Sequence, residues 1–288
     1  MRDNPQPADP PFFGLPGHGV ITMEGRDATA FAHAQFMNDV AALPDGHWQW
    51  NGWLTPKGRV IALFALLKFD PQTLWLVLPD AAPADLADAL RRFLFRSKVV
   101  LAAREDLHVG GSFAPASAAA GARIGDLDGT VELDAGAPGT PRNLRISTDN
   151  ATASEVDVAR WAAADLTHGF PRLDASQAGQ WTPQQLSLDR LRAYSIRKGC
   201  YPGQEIVART HFLGQAKRGL ALLEADAPLA CGADVTDGER ALGTVVSAVS
   251  SEAQHLALAV LPLDRTATPL HVDGISVREP ALRAGLER

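Results

Sequence analysis

The sequence predicts an α+β protein that ends in an all-β module. Two observations carry this. Residues 48–110 read strand, strand, helix, strand, the pattern of a largely antiparallel sheet backed by a helix. After residue 219, four or more short strands broken by Gly, Pro and Asp crowd into about 70 residues, the pattern of a small barrel or sandwich.

The elements follow in order. "MRDNPQPADPPF" is polar and proline-rich, without the apolar stretch of a secretory signal, so residues 1–17 are expected to be a flexible tail. "HGVITMEG" (18–25) reads as a strand closing in a turn. Asp27 then stands as N-cap to "ATAFAHAQFMNDVAAL", where Phe31, Ala34, Met37 and Val40 recur near helical spacing. Tryptophans at 48, 50 and 53 suggest strand alternation, "TPKGR" turns the chain, and 60–69 is a strongly apolar strand with "TLWLVLP" as its hairpin partner. Residues 84–95 fit an amphipathic helix with Leu86, Leu90, Phe93 and Leu94 on one side, followed by a strand in "KVVLAARED". The Ala/Gly/Ser/Pro-rich stretch 111–141 reads as a loose crossing or short strands. Residues 154–166 have helical periodicity that stops before Gly169 and Pro171.

Composition narrows the function. The 288 residues are 46% hydrophobic and 21% charged, as in a soluble globular protein. No run approaches the roughly 20 apolar residues of a membrane helix, so a cytoplasmic protein without a membrane partner is expected. The two cysteines, Cys200 and Cys231, form no C-x-x-C and are too few for a four-thiolate cluster, and the histidines show no metal-type pairing; no metal site is expected.

Charge is unevenly spread. Between Arg190 and Arg218 seven basic residues face one acid, giving +6, while the net charge of −6 leaves −12 for the remainder. A basic island in an acidic chain favours a local anion site over general adhesion to nucleic acid, so no stable nucleic-acid partner is expected. A solvated arginine face is the alternative.

That island contains "KGCYPGQEIVAR" (198–209). Gly199 and Gly203 make "KGCYPG" a bent loop, after which "QEIVARTHF" turns helical, with Glu205 in its first turn and Arg209 as its partner four residues on. Cys200 therefore falls just before a helix N-terminus, beside Lys198 and Arg197, where a thiolate is favoured. The other reading of each residue is ordinary: a small buried cysteine, a packed Tyr201, helix-start residues at Gln204 and Glu205. His211 is expected to be structural.

"RKGCYPGQEIVARTHFLGQAKRGL" resembles the K-G-C-Y-x-G-Q-E signature of the YgfZ family, within the fold of the glycine-cleavage T-protein. "GRDATAFAHAQFMNDVAAL", "GWLTPKGRVIALFALL", "WAAADLTHGFPRL", "TPQQLSLDRL" and "ALGTVVSAVSS" resemble further family stretches, and the likeness spans most of residues 18–280. It implies a three-domain ring, or cloverleaf: a folate-binding α+β domain from 18–47 with 111–215, a ferredoxin-like α+β domain at 48–110, and a C-terminal β-barrel at 216–288. It also implies bound tetrahydrofolate and a role in assembly or repair of iron–sulfur client enzymes, including radical enzymes that methylthiolate transfer RNA. Carried over by position, Trp161, Tyr201, Gln204, Glu205 and Arg209 would hold folate, with Cys200 and Lys198 as the reactive pair. A pterin ring suits the Trp161 face, and its anionic tail suits the +6 segment.

The chain departs from the T-protein pattern at three places. Thr167 stands where a pterin-gripping glutamate would be, His18 replaces an N-terminal aromatic, and Ala34, Gln35 and Phe36 replace a Q-G-Q core. An aminomethyl or one-carbon transferase, the alternative function, needs an acid beside the folate, for which Asp39 is the candidate. A folate-independent thiol enzyme using Cys200 with His211 is a third reading.

Overall fold

A computed structural model describes residues 12–214, 216–251 and 254–288. It contains three antiparallel sheets. The first runs β3 (His47–Leu54), β4 (Val60–Asp70), β5 (Thr73–Leu78), β2 (Gly19–Glu24), β6 (Val100–Ala103). Helices α1 (Ala28–Gln35) and α2 (Pro83–Arg91) pack Phe31, Ala32, Leu86 and Leu90 onto one face, against Ile21, Phe64, Leu74 and Leu76. The other face carries Trp48, Ala65, Leu67 and Val77 into a second core. Burial of both faces explains why "VIALFALLKF" shows no polar alternation.

The second sheet runs β1 (Phe13–Gly14), β7 (His108–Ser112), β10 (Asn143–Ser147), β9 (Thr130–Asp134), β8 (Gly125–Leu127). Its Val109, Leu133, Leu144 and Ile146 meet the first sheet's Trp48 and Leu67. Helix α3 (Glu155–Thr167) starts on Ser154, whose Oγ accepts from the Asp157 N–H at 3.2 Å, and lays Trp161 against this sheet. The approach is so close that a Cβ on Gly111 would lie 2.8 Å from the Trp161 ring.

The expected terminal module is a closed six-stranded barrel, in the order β11 (Arg218–Ala225), β14 (His255–Pro262), β13 (Ala241–Ser250), β12 (Asp234–Thr236), β15 (Leu270–Val272), β16 (Ile275–Arg278), with β16 pairing back to β11. Closure removes the sheet edges. Leu223, Val235, Val245 and Ala259 fill the interior, while Leu222, Leu258 and Val260 face outward onto Leu166, Leu188 and Tyr201. Residues 170–203 cross the molecule as turns, ending in α4 (Gln204–Leu213).

Several expectations need correction. The proposed tail 1–17 is structured where it is described: Phe13 and Leu15 are buried, and β1 pairs with β7, because these apolar side chains cover the Trp161 region; residues 1–11 lie outside the described residues. The strand at 19–24, grouped by sequence with 111–215, pairs with β5 and β6 and so belongs to the first sheet, as does α1 packed on it. Helix α1 stops at Gln35, since Phe36 turns extended at φ −99°, ψ 157° to bridge Trp53. Asp27 makes no side-chain cap; its carboxylate accepts from the Lys98 N–H at 2.7 Å instead. Helix α2 ends at Arg91, and Phe95, at φ 45°, is exposed.

Candidate functional site

Two features stand out, and they are separate. The first is a narrow cavity of about 30 Å³ between the two five-stranded sheets. Trp48 and Trp50 reach it from β3, Leu133 from β9, Leu144 from β10, Trp161 and Asp165 from α3, and His18 and Phe170 from flanking turns. Trp48 and Trp50 share a strand face, and their rings meet edge to face at 5.1 Å. Trp50 also touches Phe170, with centroids 4.5 Å apart.

The polar end of this cavity is a buried ion network. The Arg142 guanidinium lies 4.5 Å over the Trp161 ring and donates to Asp165 Oδ1 at 2.7 Å and to the Trp161 carbonyl at 3.2 Å. Asp165 Oδ2 faces Arg172 at 3.5 Å, and Arg172 pairs in turn with Asp80 at 2.7 Å. Burial, with the Arg172 and Arg142 charges, holds His18 well below the ordinary imidazole range. Arg142 Nε is buried without a partner.

A pterin fits the chemistry of this lining: flat aromatic faces, a guanidinium with an unused donor, and an acid. It does not fit the present volume, which holds about one or two waters. Entry of a bicyclic ring requires lining side chains to move.

The second feature is the loop around Cys200. It is held from below by Lys198, whose buried Nζ donates to the carbonyls of His33, of Phe36 at 2.5 Å and of Asn38 at 3.3 Å. These carbonyls lie at and just past the end of α1, where a cation is favoured. Burial lowers the ammonium to about 8, with Asp39 pulling the other way. Lys198 also lies 4.8 Å from the Tyr201 ring centroid, and the Tyr201 hydroxyl donates to the Ser195 carbonyl at 3.2 Å. Burial raises the Tyr201 phenol far above its usual range.

Gly203 locks the other side. It has φ +79°, and a Cβ there would sit 2.6 Å from Gly58 Cα and from the Thr55 carbonyl oxygen. The signature loop is thus seated, glycine against glycine, on the "TPKGR" turn. Gly199 has open space around it and no left-handed φ. Cys200, between them, is exposed.

Of the residues singled out from sequence, Trp161 lines the cavity. Tyr201, Gln204, Glu205, Arg209, Lys198 and Cys200 do not. Tyr201 is buried in the core shared with the barrel, and the Gln204 amide donates to the Lys198 carbonyl at 3.2 Å. Glu205 and Arg209 are exposed on α4, and no ion pair within 4.0 Å joins them. The +6 segment contributes no residue to the cavity; its positive end comes from Arg142, with Arg172 behind Asp165. The acid there is Asp165. Asp39 instead caps the Ala42 N–H at 3.0 Å, beside the Lys198 loop. Sequence reasoning missed Arg142 and Arg172; nothing in "TPRNL" or "FPRL" marks an arginine as buried. The tryptophan spacing suggests strand alternation, and Trp48 and Trp50 do lie on one strand, β3.

This architecture defines a class before it defines a family. The glycine cleavage system aminomethyltransferase T from Bartonella henselae superposes with a TM-score of 0.69, covering 98% of this chain and 88% of that one at 15% identity, so the fold is that of the aminomethyltransferase T class. The CAF17 C-terminal beta-barrel domain matches residues 215–280. The tRNA-modifying protein YgfZ of Klebsiella pneumoniae (strain 342) is 30% identical over 270 residues, 84% of this chain and 82% of that protein. Its counterpart from Aliivibrio fischeri (strain ATCC 700601 / ES114) is 28% identical over 269 residues, 85% of this chain and 83% of that protein. The chain belongs to the YgfZ family.

Proposed function

We propose that this protein is a tetrahydrofolate-binding accessory factor for iron–sulfur enzymes, including those that methylthiolate transfer RNA, with Cys200 as its reactive group. The observation that supports it best is the pairing of an aromatic, arginine-ended cavity with an exposed thiol on a loop fixed from two sides. The tRNA-modifying relatives supply the RNA-modification context. On this reading Trp161 and Arg142 receive the ring, and Lys198 is a positioning residue that shapes the Cys200 loop. Tyr201 and Gln204 support that loop from within, leaving Glu205 and Arg209 free on its outer helix.

The second reading, a folate-dependent one-carbon transferase, draws on the aminomethyltransferase fold and on Asp165 at the cavity. Its weakness is chemical. Both Asp165 oxygens already face guanidinium groups, so neither is free to exchange a proton with a folate nitrogen.

The test is complementation in a strain lacking the protein. Cys200→Ala should retain folate binding yet fail to restore methylthiolated transfer RNA and iron–sulfur enzyme activity. Full restoration by Cys200→Ala would remove the thiol from the function.

A further inference from the structure

The seven basic residues between Arg190 and Arg218 are unusual in one respect. Among the described residues, none forms an ion pair within 4.0 Å, although the protein as a whole carries excess acid. Three of them, Arg190, Arg192 and Arg218, line a single open cleft of about 830 Å³ between the 184–196 turns, α4 and the barrel. It shares no residue with the Trp161 cavity.

The rest of the wall limits what this cleft takes. A bare inorganic anion would leave most of the volume unfilled. Tyr194 and Leu263 supply apolar surface, and Leu263 is 61% exposed. Gln184 is buried in the lining. Its Nε2 donates to the Val207 carbonyl at 2.8 Å, which fixes the amide, and its Oε1 is buried without a partner. An unpaired acceptor at this position is available to an N–H donor. Arg190 adds an orphan of the other sign: its terminal nitrogen donates to the Arg283 carbonyl at 2.8 Å, and its Nε is buried without a partner.

We propose that this cleft binds a nucleotide unit, its phosphate on Arg192, Arg218 and Arg190, its base against Tyr194 and Leu263, and a base N–H on Gln184 Oε1. Guanidinium groups recognise phosphate, aromatic rings stack on bases, and side-chain amides read base edges. The net charge of −6 argues against coating of nucleic acid at large, and it does not oppose a local site where three arginines outnumber one lining carboxylate, Asp189. Arg197 and Arg209, unpaired on the same segment, extend positive charge beyond the cleft, as a phosphodiester strand would require. The proposal stands independently of folate binding.

The test is fluorescence anisotropy with a labelled single-stranded RNA of about 12 nucleotides, and separately with ADP as competitor. Binding should weaken with salt, with a log–log slope of about −0.7 for the one phosphate seated in the cleft and a steeper one where Arg197 and Arg209 take further phosphates of a strand. Arg192→Glu with Arg218→Glu should weaken it by at least about tenfold, with an unchanged circular dichroism spectrum. Displacement by ADP assigns the cleft to a free nucleotide; displacement by unlabelled RNA alone assigns it to a strand. Three results would overturn the proposal: no binding of either probe, binding indifferent to the arginine changes, or displacement by polyglutamate or 5-formyltetrahydrofolate as effective as by RNA. Gln184→Met separates shape from chemistry: it should lower affinity for RNA several-fold and leave inorganic phosphate competition unchanged.

Discussion

Lys198 Nζ lies 2.5 Å from the carbonyl oxygen of Phe36, 162 residues earlier in the chain. This contact joins the Cys200 loop to the end of α1 and, through Asn38, whose Nδ2 donates to the Trp50 carbonyl at 2.9 Å, to the strand that lines the cavity. The two halves of the candidate site therefore share one anchor.

Lys198→Met should leave three carbonyls without their donor. A loss of about 2–4 kcal/mol in urea-induced unfolding is expected above about pH 8, where the buried amine is neutral, from hydrogen bonds exchanged for a buried thioether. A change below about half a kcal/mol would mean that the lysine is not a structural clasp.

The same residue sets a pH dependence. Its ionisation falls to about 8 in the folded chain, against 10.5 for a free lysine. Between these values the unfolded chain binds more protons, so the contribution of Lys198 to stability grows as pH rises through this window and is lost as pH falls through about 8. Relative to Lys198→Met, the wild-type protein should gain about 3 kcal/mol across it. A difference that stays flat would contradict the burial argument.

Gly203 and Gly199 offer an internal contrast. Gly203→Ala meets both a left-handed φ and a backbone contact of 2.6 Å, and should cost about 2–4 kcal/mol. Gly199→Ala, with nothing within 4 Å, should be neutral to within about half a kcal/mol. Equal effects in paired denaturation curves would show that the loop is not seated on the "TPKGR" turn.

Asp165→Asn breaks the buried pair with Arg142 and weakens the contact to Arg172. Removing one partner of such a pair costs about 3–5 kcal/mol, and calorimetry should show a lowered Tm. An unchanged Tm would mean that the network is not continuous across the sheets.

Much of the fold was legible because the signals were local. The apolar run at 60–69, the "TPKGR" turn, the helix capped at Ser154 and the strands after residue 219 each carry their own periodicity or punctuation. Where the structure departs, a distant group decides. Helix α1 ends early while Lys198 gathers its last carbonyls, and strand 19–24 inserts between β5 and β6, a pairing that no local pattern encodes. The candidate site was half legible: Trp161 and the Cys200 loop came from motifs, whereas Arg142, Arg172 and Asp165 gain meaning only when three segments converge.

On the proposed function, folate binds at the Trp161 cavity. Isothermal titration of 5-formyltetrahydrofolate into the wild-type protein and into Trp161→Leu, both verified as folded, tests it most directly. Saturable binding to the wild type, weakened by at least about tenfold in the variant, is the expected result. Equal affinity for both, or no binding to the wild type, would contradict it.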